Sequence, residues 1–409
     1  MMNLMKNENQ NQFTGRNMVL GVQFLFVAFG ATVLVPLLVG IDPAVALFTA
    51  GVGTLIFHVI TKGMVPVFLG SSFAFIAPII EATRLYGLPG TFSGIIAVGL
   101  VYGVVSALVK WRGIKFIERL FPATVVGPVI ITIGLSLASV AVDMAKTHWI
   151  IAVISLATAV IVVVYTKGLI KLIPIFIGII VGYLAGFLFG VIDFTPVKEA
   201  AWFALPGFIM PEFSWGAILY MIPVAVAPII EHVGDMYAIG GVAEKNFIEK
   251  PGLHRTLLGD GIATGLAGMV GGVPNTTYSE VTGAIALTKV TNPFILRIAA
   301  VTAIVFSLVG KISGILKTIP QAVLGGIMLL LFGLIASVGI KTLIDSKTDM
   351  GKIRNQVVVS IVLTIGIGGA VISWGNFSLA GIGLAAVAGI LLNLILPGHA
   401  KQVVVKETK

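Results

Sequence analysis

Glu231, Asp235 and Glu280 are carboxylates set in stretches that otherwise consist of apolar and small residues. Glu231 and Asp235 are one helical turn apart, so on a helix both project from one face. Glu280 follows the Gly/Pro break Gly271-Gly272-Val273-Pro274. A carboxylate at mid-membrane costs roughly 2.5–3.5 kcal/mol on insertion scales, so it usually faces a cavity and marks a functional site. Ionised carboxylates only accept hydrogen bonds, and two close together in a low dielectric titrate as a coupled pair, one holding a proton. The three acids therefore read as a polar solute site within a membrane transporter. All three are proton-coupling candidates.

The surrounding sequence places these acids in a membrane. The 409-residue chain is 57% hydrophobic and only 11% charged, against about 25% charged in a soluble domain. Apolar runs near the length that crosses a bilayer recur throughout and leave no room for a separate soluble domain. The polar residues 1–15 lack the apolar core of a signal peptide, so the first long span is expected to begin the membrane domain. With no cysteine, disulfides and thiolate metal sites are excluded. The net charge of +9 does not indicate nucleic acid, because the basic residues sit in short loops and follow topology.

The expected fold is all-α and integral to the membrane, with fourteen segments. The first seven lie near 18–39, 43–62, 64–80, 93–110, 120–142, 149–166 and 169–190. The second seven lie near 214–239, 255–272, 275–288, 293–312, 319–340, 355–372 and 379–396. With the N-terminus inside, all but five of the 26 Lys and Arg fall on the cytoplasmic side, the exceptions being Arg84, Lys146, Lys198, Lys311 and Lys317. That bias follows the positive-inside rule and supports the even count. Residues 1–17 and 397–409 are then cytoplasmic tails, and 191–213 is an extracellular linker between repeats 18–190 and 214–396. Pro122-Ala123-Thr124-Val125-Val126-Gly127 with Ala138-Ser139-Val140 matches Pro320-Gln321-Ala322-Val323-Leu324-Gly325 with Ala336-Ser337-Val338 at equal spacing. An odd number of segments per half makes this an inverted repeat.

Segments 3 and 10 occupy corresponding places and are interrupted. One carries Gly70-Ser71-Ser72-Phe73-Ala74-Phe75, the other Pro274-Asn275-Thr276-Thr277-Tyr278-Ser279-Glu280. Each is expected to form a short extended stretch followed by a half-helix. Such backbone is tolerated at membrane depth only where it lines a protein cavity, and its free N–H groups would point at solute.

Gln23-Phe24-Leu25-Phe26, Phe29-Gly30-Ala31-Thr32, Leu69 to Phe75, Glu231-His232-Val233-Gly234, Pro251-Gly252-Leu253-His254-Arg255 and Pro274 to Tyr278 together resemble the bacterial uracil permeases. These form a branch of the nucleobase–cation symporter-2 (nucleobase–ascorbate transporter) family. The likeness runs from about residue 17 to 396. It implies a core domain of segments 1–4 and 8–11, a gate domain of segments 5–7 and 12–14, elevator-like motion between them and a homodimer. It implies a multi-pass protein of the bacterial inner membrane with both termini cytoplasmic. Matched residue by residue, Glu231 and Glu280 are the substrate-binding glutamates. Phe73 and Ser279 offer backbone N–H groups to the base, Ala31 and Tyr278 are pocket walls, and Ser72 and Phe332 lie at the pocket edge. Five positions depart from the pattern. Phe24 and Asp235 stand where uracil permeases carry His, Ser279 replaces Gly, Val281 replaces Asn and Phe332 replaces Tyr.

The chemistry of the residues agrees. Uracil alternates C=O and N–H along one edge, so the glutamates suit its N–H groups and backbone N–H groups suit its carbonyls. The leading reading is proton-coupled uracil uptake, with no cofactor or metal. A purine such as xanthine or urate is the alternative solute, and Glu280 argues against it because the purine branches often carry Gln there. Anion exchangers share the architecture, but paired carboxylates would repel an anion. An intramembrane aspartyl protease using Asp235 and Asp260 is the rival from another class, and residues 257–260 lack its Gly-x-Gly-Asp motif. No P-loop is present, so ATP drive has no sequence support. His232 projects about 100° round the helix from Glu231, towards neighbouring helices. His58 reads as a packed or interhelical histidine, and Asp260 reads as a loop or cap residue at a helix start.

Overall fold

The computed structural model describes residues 14–113, 121–168, 170–374 and 377–397. The expected tails lie outside these residues, except that Gly15 already begins a helix. The helices are α1 (Gly15–Val39), α2 (Pro43–Ile60), α3 (Ile76–Arg112), α4 (Ala123–Leu135), α5 (Ala138–Lys146) and α6 (Trp149–Tyr165). They continue as α7 (Pro174–Leu188), α8 (Thr195–Glu199), α9 (Trp215–Met221), α10 (Val226–Ala243), α11 (Leu253–Met269) and α12 (Ser279–Thr288). The last are α13 (Pro293–Ser307), α14 (Gly310–Lys317), α15 (Gln321–Asp345), α16 (Ile353–Ile367) and α17 (Gly381–Ile395). Four short strands are β1 (Leu69–Ser71), β2 (Asn275–Thr277), β3 (Val371–Trp374) and β4 (Phe377–Ala380).

Local chemistry sets several boundaries. The Thr14 side chain caps α1 by accepting from Asn17 N–H, and Gly40 ends that helix in the left-handed region. Asp42 caps α2 ahead of Pro43 and also receives Ser313 Oγ at 2.9 Å and Lys317 Nζ at 2.8 Å, tying α2 to α14. Burial would raise this carboxyl, but Lys317 and the other donors hold it below the usual range. Gly87, at φ 74 and ψ 160, breaks α3 and so separates segments 3 and 4.

Among the described residues, six helical stretches are long and apolar enough to cross a membrane: Gly15–Val39, Pro43–Ile60, Phe73–Arg112, Ala123–Lys146, Trp215–Ala243 and Gln321–Asp345. Five more apolar helices, α6, α7, α13, α16 and α17, are shorter and pack beside the long ones. This is a multi-pass membrane protein, and every expected segment has a helical counterpart. Segments 5 and 11 are each split in two, α4 with α5 and α13 with α14. The hairpin β3–β4, paired Val371↔Ala380 to Trp374↔Phe377, was not expected. Its first strand takes up the end assigned to segment 13.

The packing shows the repeat directly. Segment 2 packs on segment 11 as segment 9 packs on segment 4, and segment 1 packs on 11 as 8 packs on 4. Segments 6 and 7 pair as 13 and 14 do, and 12 packs on 6 as 5 packs on 13. Segments 2 and 9, 3 and 10, and 5 and 12 each meet their own counterpart. The equivalent strands β1 and β2 pair antiparallel, Leu69↔Thr277, Gly70↔Thr276 and Ser71↔Asn275. That is the arrangement an in-plane two-fold requires of an inverted repeat.

Candidate functional site

The β1–β2 pair is buried along its whole length and brings two half-helices together. Ser72 N–H extends the pairing by donating to the Pro274 carbonyl at 3.0 Å. A 3₁₀ turn, Phe73–Phe75, then leads into α3, while β2 leads through Tyr278 into α12. Neither Ser72 nor Tyr278 caps its helix with a side-chain hydrogen bond. The first N–H groups of both half-helices are thus left for another acceptor. Tyr278 is held elsewhere: its hydroxyl donates to the Ser71 carbonyl at 2.7 Å, and its ring lies where a Cβ on Gly70 would be. Ser71 Oγ in turn donates to the Thr32 carbonyl at 2.9 Å, which anchors α1 beside Ala31.

Asp235 lies against the start of α12. Ser279 Oγ donates to its Oδ1 at 2.6 Å and Thr277 Oγ1 donates to its Oδ2 at 3.0 Å. Both oxygens act as acceptors, which suits an ionised carboxylate. Two departures from the family pattern, Asp235 and Ser279, are therefore the two ends of one hydrogen bond.

His232 and Asp260 form a second, fully buried cluster. His232 Nδ1 is 2.8 Å from Asp260 Oδ2, and both side chains are without exposed surface. His232 Nε2 is 2.9 Å from Thr256 Oγ1, whose own proton goes to the Leu253 carbonyl at 3.0 Å. Thr256 can therefore only accept, and Nε2 carries a proton. A bare Nδ1 lone pair would repel a carboxylate at that separation, so a second proton lies between Nδ1 and Oδ2. Whichever atom holds it, the pair is neutral overall. Thr277 N–H also donates to Asp260 Oδ2, at 3.3 Å, so one strand residue touches both Asp235 and Asp260.

Glu231 and Glu280 differ from these acids because both are exposed, along with Ser279. Among the described residues neither is in an ion pair. Exposure continues along one stripe of α10, Glu231, Gly234, Ala238 and Gly241, and one stripe of α12, Glu280, Gly283 and Leu287. Open space surrounds Gly234, Gly241 and Gly283. Exposed positions thus line both helices from the carboxylates to the helix ends that precede Lys245 and Lys289.

The structure brings Ala31, Tyr278, Ser279 and Asp235 into one neighbourhood around β1–β2, with Ser72 buried and Phe73 half-buried at its edge. Phe332 is buried on α15, which packs on α4, and α4 touches the Phe73–Phe75 turn. Phe24 is buried on α1 and Val281 on α12. Phe332→Tyr is expected to retain uptake and to lose at most about 1–3 kcal/mol of stability, the cost of a buried hydroxyl without a partner. Uptake and thermal unfolding of the purified variant check this; a folded but inactive protein would place the ring against the solute.

The reading of Asp260 needs correction. It lies within α11, two turns from its start and fully buried, and is not a cap. His232 does face neighbouring helices, as expected, and His58 is likewise packed, against Val67 and Arg297. The signal for Asp260 was the spacing Thr256, Asp260, Thr264, which puts three polar side chains on one face of an apolar helix. Thr256 bonds His232, Asp260 bonds His232 and Thr277, and Thr264 donates to the Asn275 carbonyl at 2.8 Å.

An inverted repeat with two broken segments meeting beside buried and exposed acids defines a membrane transporter, not an enzyme. A family profile described as the Permease family matches residues 15–373, and the chain belongs to that family. It is 51% identical over 403 residues to the probable uracil permease of Haemophilus influenzae, covering 96% of this chain and 97% of that protein. It is 46% identical over 401 residues to the uracil permease of Bacillus caldolyticus, covering 94% and 93%. Among solved structures, the transmembrane domain of the cyanobacterial bicarbonate transporter BicA matches with a TM-score of 0.63 at 15% identity, over 92% of this chain and 96% of that one. At that identity the likeness is one of fold.

Proposed function

We propose that the protein imports uracil by proton symport, through elevator-type alternating access. The observation that carries this is the pair Glu231 and Glu280, open to solvent and without a counter-cation, beside two uncapped half-helix starts. The glutamates accept from the uracil N–H groups, and backbone N–H groups at Phe73 and Ser279 donate to its carbonyls. Ala31 and Tyr278 wall the base, with Ser72 and Phe332 at the edge. A neutral base leaves the negative charge of the acids uncompensated, so a proton accompanies it and is shared among Glu231, Asp235 and Glu280. The names borne by the relatives support uracil over a purine.

Segments 1–4 and 8–11 form the core that carries the solute, and segments 5–7 and 12–14 form the gate. The protein sits as a homodimer in the bacterial inner membrane with both termini cytoplasmic. On that sidedness the exposed stripes past Gly234 and Gly283 lead inward, which favours the conformation that releases solute and proton to the cytoplasm.

The test is uptake of radiolabelled uracil into proteoliposomes. Accumulation should follow an inward proton gradient without sodium and collapse with a protonophore. Unlabelled uracil should compete, and xanthine and urate should not. Strict sodium dependence at fixed pH would remove proton coupling, and preferential competition by a purine would change the solute. Asp235→Asn is expected to lower gradient-driven accumulation at least about tenfold, a coupling of about 1.4 kcal/mol, while equilibrium binding changes much less. The amide keeps the size of the group but cannot titrate. An Asp235→Asn protein that still concentrates uracil normally would exclude Asp235 from the relay.

A further inference from the structure

We propose that a pocket between α2 and α13 binds the phosphate of an anionic phospholipid. The pocket, about 330 Å³, is lined by Leu55, His58, Val59, Lys62, Gly63 and Arg297 at the C-terminal end of α2. His58 is 3% exposed and sets its geometry. The His58 Nε2–H donates to the Val67 carbonyl at 2.9 Å, which leaves Nδ1 to accept Arg297 Nε–H at 3.2 Å. A buried imidazole thus fixes the guanidinium by its Nε edge and leaves the two terminal nitrogens for a ligand. Gly63, at φ +64, makes room for them, because a Cβ there would collide with one of those nitrogens. Lys62 beside it is exposed.

Capping of α2 does not account for these cations. Cations do favour helix C-termini, but the last carbonyls of α2 already have donors. Thr61 N–H serves Phe57, Gly63 N–H serves His58, Lys62 N–H serves Val59 and Arg255 serves Ile60. Among the described residues neither Lys62 nor Arg297 is in an ion pair. Two cations without anions therefore share one cavity.

The apolar surroundings specify a lipid over a free anion. Val59 is 79% exposed and lies one turn from half-buried Leu55 on the outer face of α2. On α13, Arg297 is followed at successive turns by Val301 and Val305, 50% and 52% exposed. The two apolar stripes run away from the cations along adjacent helices, as an acyl chain would from its headgroup. Guanidinium and ammonium groups at a membrane-facing helix end are the donors that such phosphates use.

Native mass spectrometry of the detergent-solubilised protein tests this with phosphatidylglycerol, phosphatidylcholine and inorganic phosphate. Wild type should retain at least one phosphatidylglycerol that phosphatidylcholine does not replace and that millimolar phosphate does not displace. Lys62→Gln should weaken that binding about 5-fold, and Lys62→Gln with Arg297→Gln about 30-fold, on a scale of about 1 kcal/mol per cation. Lys62 is exposed, so the single variant should fold even if the double does not, and thermal unfolding without lipid verifies this. Equal binding by wild type and the Lys62→Gln variant, or equal retention of phosphatidylcholine, would overturn the proposal. Displacement by inorganic phosphate would overturn the lipid assignment.

Discussion

Glu280→Gln is expected to abolish uracil-dependent thermal stabilisation while leaving the ligand-free protein folded. The carboxylate is the second residue of α12, at a helix start that the side chain of its N-cap residue, Tyr278, does not cap. The partial positive charge of that terminus favours an anion there. Glu280 is exposed, so replacing it by the isosteric amide removes little packing. A hydrogen bond to a charged acceptor contributes about 1.5–3 kcal/mol, and the amide can also present its N–H to an N–H of the base. The dissociation constant should therefore rise about 10–150-fold. Stabilisation measured over a uracil titration, with wild type alongside, reads this directly. Equal stabilisation of the two proteins would remove Glu280 from the site and with it the proposed pose. A variant that unfolds without ligand would instead assign Glu280 a structural role.

The sequence and the structure part company where long-range contacts decide. That Glu231 and Asp235 share a helical turn is a matter of spacing. That Asp235 turns inward onto Ser279 and Thr277 while Glu231 faces open space depends on where α12 starts, which no local pattern states. The strands of segments 3 and 10 were legible from Gly, Ser, Asn and Thr beside breaks. Their register was not, because the partners lie in opposite halves of the chain. Gly259 and Gly261 flank Asp260 and look like a loop, so the local pattern suggests a cap where there is none. Both glycines lie inside α11, where a Cβ on Gly259 would strike the Phe57 ring and one on Gly261 would strike Tyr102. Close packing there overrides the poor helix propensity of glycine. The β3–β4 hairpin was hidden for a similar reason, since Val371 and Ile372 extend an apolar run that suits a helix or a strand equally.

The largest expected effect on stability falls on Asp260. Asp260→Ala removes the acceptor that His232 Nδ1 and Thr277 N–H share; it leaves the Thr277 N–H buried without that acceptor and His232 Nδ1 with only the longer 3.3 Å contact to Thr277 Oγ1. Breaking a buried pair in this way costs about 3–5 kcal/mol. Asp260→Asn is the informative contrast. An amide nitrogen in the place of Oδ2 can donate to a neutral His232, so only the 3.3 Å contact from Thr277 is lost, at a cost of about 1 kcal/mol. His232→Ala with Asp260→Ala should destabilise less than the two single changes added together, because neither partner is then left buried alone. Denaturation in detergent of the four variants and wild type gives the ordering. If alanine and asparagine at 260 cost the same, the contact with His232 contributes nothing, and Thr277 alone holds Asp260 in place. If the ordering holds while Asp260→Asn still fails to accumulate uracil, the proton between His232 and Asp260 belongs to the transport cycle as well as to the fold, because the neutral amide satisfies the geometry but has no proton to release.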